Sequence, residues 1–139
     1  MLNINEIMFY GRYFDDENNQ YKISWWLCVE DYEIYHTEIL FADYSYESIS
    51  EIEQTSKFVP FFKTDIIQLE KEFIKKLNNK TLLNSFNKLL VGNNSYNVAF
   101  RIFIEREFLF DYWSEFEKSQ LREDAIAWCK NNHIPYTIC

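Results

Sequence analysis

Glycine is almost absent from this chain: two residues in 139, Gly11 and Gly92. Phosphate-binding loops and dinucleotide fingerprints need several glycines close together, so that backbone can approach phosphate. Two glycines so far apart exclude both motifs. Proline is equally scarce, at two residues. Sharp turns must therefore rest mostly on Asn, Asp and Ser, whose short polar side chains tolerate them at some cost. Cysteine is limited to Cys28, Cys129 and Cys139. Three is odd and the spacing is wide, so neither a disulfide framework nor a metal motif emerges. The expectation is a buried Cys28, a helical Cys129 and a loose C-terminal thiol in a reducing cytosol. No apolar run approaches the roughly 20 residues that span a bilayer. The first twenty residues also lack the basic start and apolar run of a secretory leader. The expected location is cytoplasmic, with no membrane partner.

Positive charge is missing from the first half. Residues 1–60 carry three basic side chains, Arg12, Lys22 and Lys57, against twelve acidic ones, a balance of −9. Residues 61–139 carry eleven basic and ten acidic, a balance of +1, so almost all of the net −8 lies early in the chain. Such a surface disfavours nucleic acid, because each phosphate contact wants a cation. It favours solubility, or a basic protein partner.

Apolar and aromatic residues are plentiful, at 47% and 19%. That composition and length predict one packed domain. Residues 1–13 are read as strand in preference to helix, and Asp15–Gln20 as a polar loop. Tyr21–Val29 is the best strand. Its alternation places Ile23, Trp25, Leu27 and Val29 on one face, and Ser24, Trp26 and Cys28 on the other. Glu33–Leu40 reads as the returning strand. Glu47–Gln54 fits one or two helical turns. Pro60 holds Val59 extended, which predicts a buried connector docking the neighbouring phenylalanines.

From Thr64 the apolar period becomes helical. Ile66 to Leu77 makes one helix, capped by Thr64. Thr81 is read as the cap of a second, ending at Gly92, and Ser95 as the cap of a third. Asp111–Asn131 is the longest helical pattern, stopped by Asn131 and Asn132. The fold class expected is α+β: an antiparallel sheet of two or three strands within an acidic region 1–57, followed by about four helices over 58–139. Those helices are expected to pack on each other and on one face of the sheet.

Phe100 and Phe103, Trp113 and Phe116, then Ala125, Ile126, Trp128 and Cys129 recur in a fixed order, with Phe58, Val59 and Pro60 upstream. Over residues 58–136 this pattern resembles the bacterial uncharacterised protein family 0158. Asn93–Asn94 and His133–Ile134 stand where that family usually has glycine. The resemblance implies a small, mostly helical bacterial domain and implies no activity.

Candidate chemistry is thin. His133 and Cys129 are four apart, the spacing of one helix face, but a histidine at a helix C-terminus is first a favourable cation. Glu105, Glu107, Asp111, Glu115 and Glu117 cluster in sequence, but Glu107, Asp111 and Glu115 are helix-spaced only if nothing breaks near Leu109, and a solvated acidic face is the plainer reading. No catalytic residue, metal set or cofactor is assigned. Adjacent strand residues point to opposite faces. One of Trp25 and Trp26 must therefore leave the core unless both faces are covered. The outer tryptophan, with Tyr35 and nearby acids, is the candidate binding surface. The expected function is a non-catalytic protein-interaction module. An acidic inhibitor or immunity-type protein masking a basic partner such as a nuclease is the first alternative. An enzyme with an unrecognised site is the second.

Overall fold

The structure is a computed structural model that describes residues 2–11, 23–92 and 95–138. The expected loop at 15–20, the strand start at Tyr21, the Asn93–Asn94 turn and Cys139 lie outside the described residues. The chain divides into two compact units. The first comprises residues 1–64 and 121–139, and the second residues 65–120.

The first unit begins with β1 (Leu2–Asn3) and α1 (Ile4–Gly11). The strand expected over residues 1–13 is corrected to a helix for most of its length. Ile4, Ile7, Met8 and Gly11 are its buried positions. That spacing is helical, and it outweighs the strand preference of the isoleucines and aromatics. The central sheet follows, from β2 (Trp25–Cys28), β3 (Ile34–His36) and β4 (Phe58–Pro60). It is antiparallel in the order β3-β2-β4, with Trp26 opposite both Tyr35 and Pro60. The connector around Pro60 is thus an edge strand, a position that tolerates a missing N–H.

The returning strand, expected to run to Leu40, ends four residues early. After His36 the chain turns into α2 (Thr37–Asp43). The His36 ring caps this helix, its Nδ1 accepting from the Glu38 N–H at 3.1 Å. The helix α3 (Ile49–Gln54) matches the expected turns, capped by Ser48.

Both faces of this sheet are covered. On one, Leu27 and Phe61 join α1 and the end of α7 (Phe110–Asn131) in a core that includes Leu121, Ala125, Trp128 and Cys129. On the other, Trp26, Cys28 and Phe58 pack against Leu40 of α2 and Ile52 of α3. The expected one-sided sheet is corrected by this second layer, made of α2, which the alternation of residues 33–40 concealed, and α3, whose turns were expected but not placed on the sheet. Trp128 secures the first layer. Its Nε1–H donates to the Pro60 carbonyl at 3.0 Å, and its ring stacks on Phe61 at 4.5 Å. Finally β5 (Tyr136–Thr137) pairs parallel with β1.

The second unit holds α4 (Ile66–Leu77), α5 (Lys80–Val91), α6 (Tyr96–Arg106) and the first half of α7. The described residues thus form seven helices, more than the four expected. Three caps differ by a residue or two. Asp65, Asn79 and Leu109 precede the helices expected to start from Thr64, Thr81 and Asp111, whereas Ser95 caps α6 as expected. Phe73, Phe86, Phe100 and Phe103 form the core, with Trp113 and Phe116 half-buried beside them. Phe100 meets Trp113 edge to face at 4.7 Å, a favoured aromatic geometry.

Candidate functional site

The β2–β3 turn, β3, α2 and α3 carry the acidic surface of the first unit. Residues 23–56 contain eight carboxylates: Glu30, Asp31, Glu33, Glu38, Asp43, Glu47, Glu51 and Glu53. They contain no Lys or Arg. All eight are exposed. A short apolar period explains why: α2 and α3 bury only Thr37, Leu40 and Ile52, which leaves their other faces to charge. Counted by unit, the first carries six basic and fourteen acidic side chains, and the second eight of each. The whole net charge therefore belongs to the first unit.

Asp31 organises the tip of this face. Its Oδ1 accepts from the Glu33 N–H at 2.9 Å, and its Oδ2 from the Tyr35 hydroxyl at 2.9 Å. The Glu33 backbone bond is the main reason its carboxyl lies below the usual range, helped by the Cys28 thiol and Tyr35. Tyr32 turns the corner in the left-handed region, at φ 57°. The Tyr35 hydroxyl is held protonated far above its usual range, first by its hydrogen bond with Tyr44 and then by Asp31. Tyr35 and Tyr44 meet edge to face at 5.6 Å.

The two tryptophans fall on opposite faces, as alternation requires, and both faces are covered. Trp26 is 0% exposed and packs inside the hairpin rather than at its surface. Trp25 is the outer member but only half-exposed, edge to face with Tyr10 and His36 at 4.8 Å. Tyr35 is half-buried. The large apolar residues that do reach solvent among the acids are Val29, Tyr32, Ile39 and Tyr44. The sequence signal for them is weak: Ile39 falls off the buried face of α2, Tyr32 lies in the β2–β3 turn and Tyr44 caps the end of α2.

Two other clusters bear on chemistry. Cys129 is fully buried, and burial pushes its thiol up to about 11. A neutral buried thiol is no nucleophile. His133 lies past the end of α7, exposed, at φ 55°. The Ile134 N–H reaches the Cys129 carbonyl at 2.9 Å and the His133 N–H that of Lys130 at 3.3 Å. This pattern is a Schellman stop, with His133 in the place usually given to glycine. It removes His133 from the helix face of Cys129. The left-handed residue that ends α7 is thus His133, not Asn131 or Asn132.

Glu70 of α4 was not singled out by the sequence, because one acid among 22 carries no mark. It is 3% exposed and its Oε1 has no hydrogen-bond partner. Burial raises its pKa to about 7, against the pull of Arg101 and with a further push from Glu117. A groove of about 330 Å³ between α5 and α6 is lined by Ser85, Lys88, Leu89, Phe103, Arg106 and Glu107. Neither Glu70 nor Cys129 lines it. The acids from Glu105 to Glu117 do not share one helix face, because Phe108 breaks the helix at φ 56°. Among the described residues, no three His, Cys, Asp or Glu side chains are placed to hold a metal ion. Among the described residues, no helix is long and apolar enough to cross a membrane.

No protein family, no curated protein and no solved structure matches the chain. The likeness of residues 58–136 to family 0158 rests on the quoted residues alone.

Proposed function

We propose that this protein is a non-catalytic protein-interaction module that takes a basic protein partner on its acidic face. The observation that carries the reading is the run of eight exposed carboxylates with no Lys or Arg among residues 23–56, Glu30 meeting Lys57 at its edge at 3.6 Å, and with Tyr32, Ile39 and Tyr44 exposed among them. Like charges at that density destabilise the free fold, and a cationic partner relieves them. Tyrosines supply contact area at low entropic cost, as interface anchors commonly do. The same observation favours an inhibitor form of the reading. Carboxylates spaced along one face present negative charge as a phosphate backbone does, which fits the cationic surface of a nuclease.

The test is a pull-down from the native host with the wild-type chain and with Glu38→Gln/Asp43→Asn/Glu53→Gln, followed by association kinetics on the captured protein. Asp31 and Glu51 are left intact because each accepts a backbone N–H. Steered association falls steeply with ionic strength, by a factor of about ten or more between low and high salt. A partner that binds the neutralised variant equally fast, or at a rate indifferent to salt, would sink the reading.

A further inference from the structure

The corner between α6 and α7 exposes three rings. Phe108 is 89% exposed, Phe110 66% and Tyr112 69%. Phe108 is also held in the left-handed region, at φ 56°. The Leu109 N–H bonds the Ile104 carbonyl at 3.0 Å and the Phe108 N–H that of Glu105 at 3.4 Å, the same Schellman pattern as at the end of α7. Glycine suits this position, and a bulky residue strains it. The ring gives nothing back to the fold, since it lies in solvent. An outlier of this kind, without local compensation, points to function.

Beside this corner lies the α5–α6 groove. Leu89 and Phe103 supply its apolar surface, Lys88 and Arg106 two cations and Glu107 one carboxylate, so its lining carries one net positive charge. Neither cation forms an ion pair among the described residues. A volume of about 330 Å³ has room for a phenyl ring, given that an apolar cavity of roughly 150 Å³ holds benzene. The corner carries Asp111 between Phe110 and Tyr112. An aromatic knob with one acid and an apolar hole with one net positive charge thus occur on one unit, whose eight basic and eight acidic side chains balance.

We propose that the protein pairs with a second copy of itself, Phe108 of each copy entering the α5–α6 groove of the other. Both halves of the contact sit on the same unit, so a two-fold axis makes the contact twice and closes the pair. Lys88 and Arg106 face the incoming rings as cation–π partners and meet Asp111 at the rim.

Analytical ultracentrifugation of the full chain tests this. The average mass should rise from one chain to two with concentration. Phe108→Ala should raise the dissociation constant at least about tenfold. Its ring is exposed, so the fold should survive, and Phe108→Gly serves as a less strained control with the same loss. Asp111→Lys and Lys88→Glu/Arg106→Glu should each weaken pairing, and mixing these two variants should restore it in a heterodimer. A mass of one chain at every concentration overturns the proposal. So does an unchanged dissociation constant in Phe108→Ala, or a mixture that fails to recover.

Discussion

The Trp26 Nε1–H donates to the Thr37 hydroxyl at 2.9 Å, and that hydroxyl in turn donates to the Ile23 carbonyl at 2.5 Å. Both residues are 0% exposed. This relay joins the middle of the sheet to the first residue of α2, at the point where the acidic face begins. Thr37→Val keeps the shape and deletes the acceptor. It should destabilise the protein by about 1–3 kcal/mol, the cost of a buried unpaired donor. Thr37→Ser should stay close to wild type. Urea unfolding reads both, and a valine variant as stable as wild type would mean that Trp26 does not depend on this acceptor.

Gly11 ends α1 under the Phe62 ring. A Cβ there would lie 2.1–2.7 Å from three ring atoms. The ring is backed by Trp128 at 5.8 Å, so it has little room to retreat. Gly11→Ala would gain helix propensity on an open surface. Here overpacking should win, with a loss of about 1–3 kcal/mol. A thermal midpoint equal to or above wild type would show that Phe62 moves freely.

Glu70 makes stability fall as pH rises. Its carboxyl ionises near 4.5 in the unfolded chain and at about 7 in the folded one. Between those values the native state holds the extra proton, so each step up in pH costs stability, and the loss is complete above 7. Glu70→Gln removes the charge and keeps the shape. It should stabilise the protein at pH 8 by about 1–3 kcal/mol and change little at pH 4.5. A variant whose advantage does not grow between those pH values would show that Glu70 is ionised without penalty.

Asp31 acts in the opposite direction. Its folded pKa lies below the ordinary 3.8, so its contribution is present above that value and is lost as pH falls through the folded one. Protonation should release the Glu33 N–H and the Tyr35 hydroxyl, loosening the β2–β3 turn. Tyr35 signals and Glu33 amide exchange, followed by NMR from pH 6 to pH 2.5, should move together below about 3.8. Changes in Tyr35 that do not accompany those of Glu33 would separate the two bonds.

The sequence carried the fold unevenly. The alternation through β2, the helices α4, α6 and α7 and the cap at Ser95 were legible because each follows from a period or a single side chain. The α1 helix was not, although Ile4, Ile7, Met8 and Gly11 already stood at helical spacing. Its β-branched and aromatic residues argued the other way. The turn at Thr37 was hidden for a different reason. Residues 34–39 alternate like a strand, and the buried hydroxyl that ends β3 matters only through Trp26, eleven residues earlier. The candidate site was half legible. The acidic bias showed in the counts, but which rings emerge among the acids depends on a second helical layer. Glu70, Phe108 and the α5–α6 groove owe their meaning to burial, backbone angle and concavity, which no residue type announces.

Leu2 pairs with Tyr136 and Asn3 with Thr137, and α1 shares its core with residues 121–134. In a growing chain, the earliest residues of the first unit must therefore wait for almost the last. The second unit is one unbroken stretch, complete once residue 120 is made. The order of synthesis and the order of completion are thus inverted. The half that leaves the ribosome first, with its acids and its two adjacent tryptophans, is finished last.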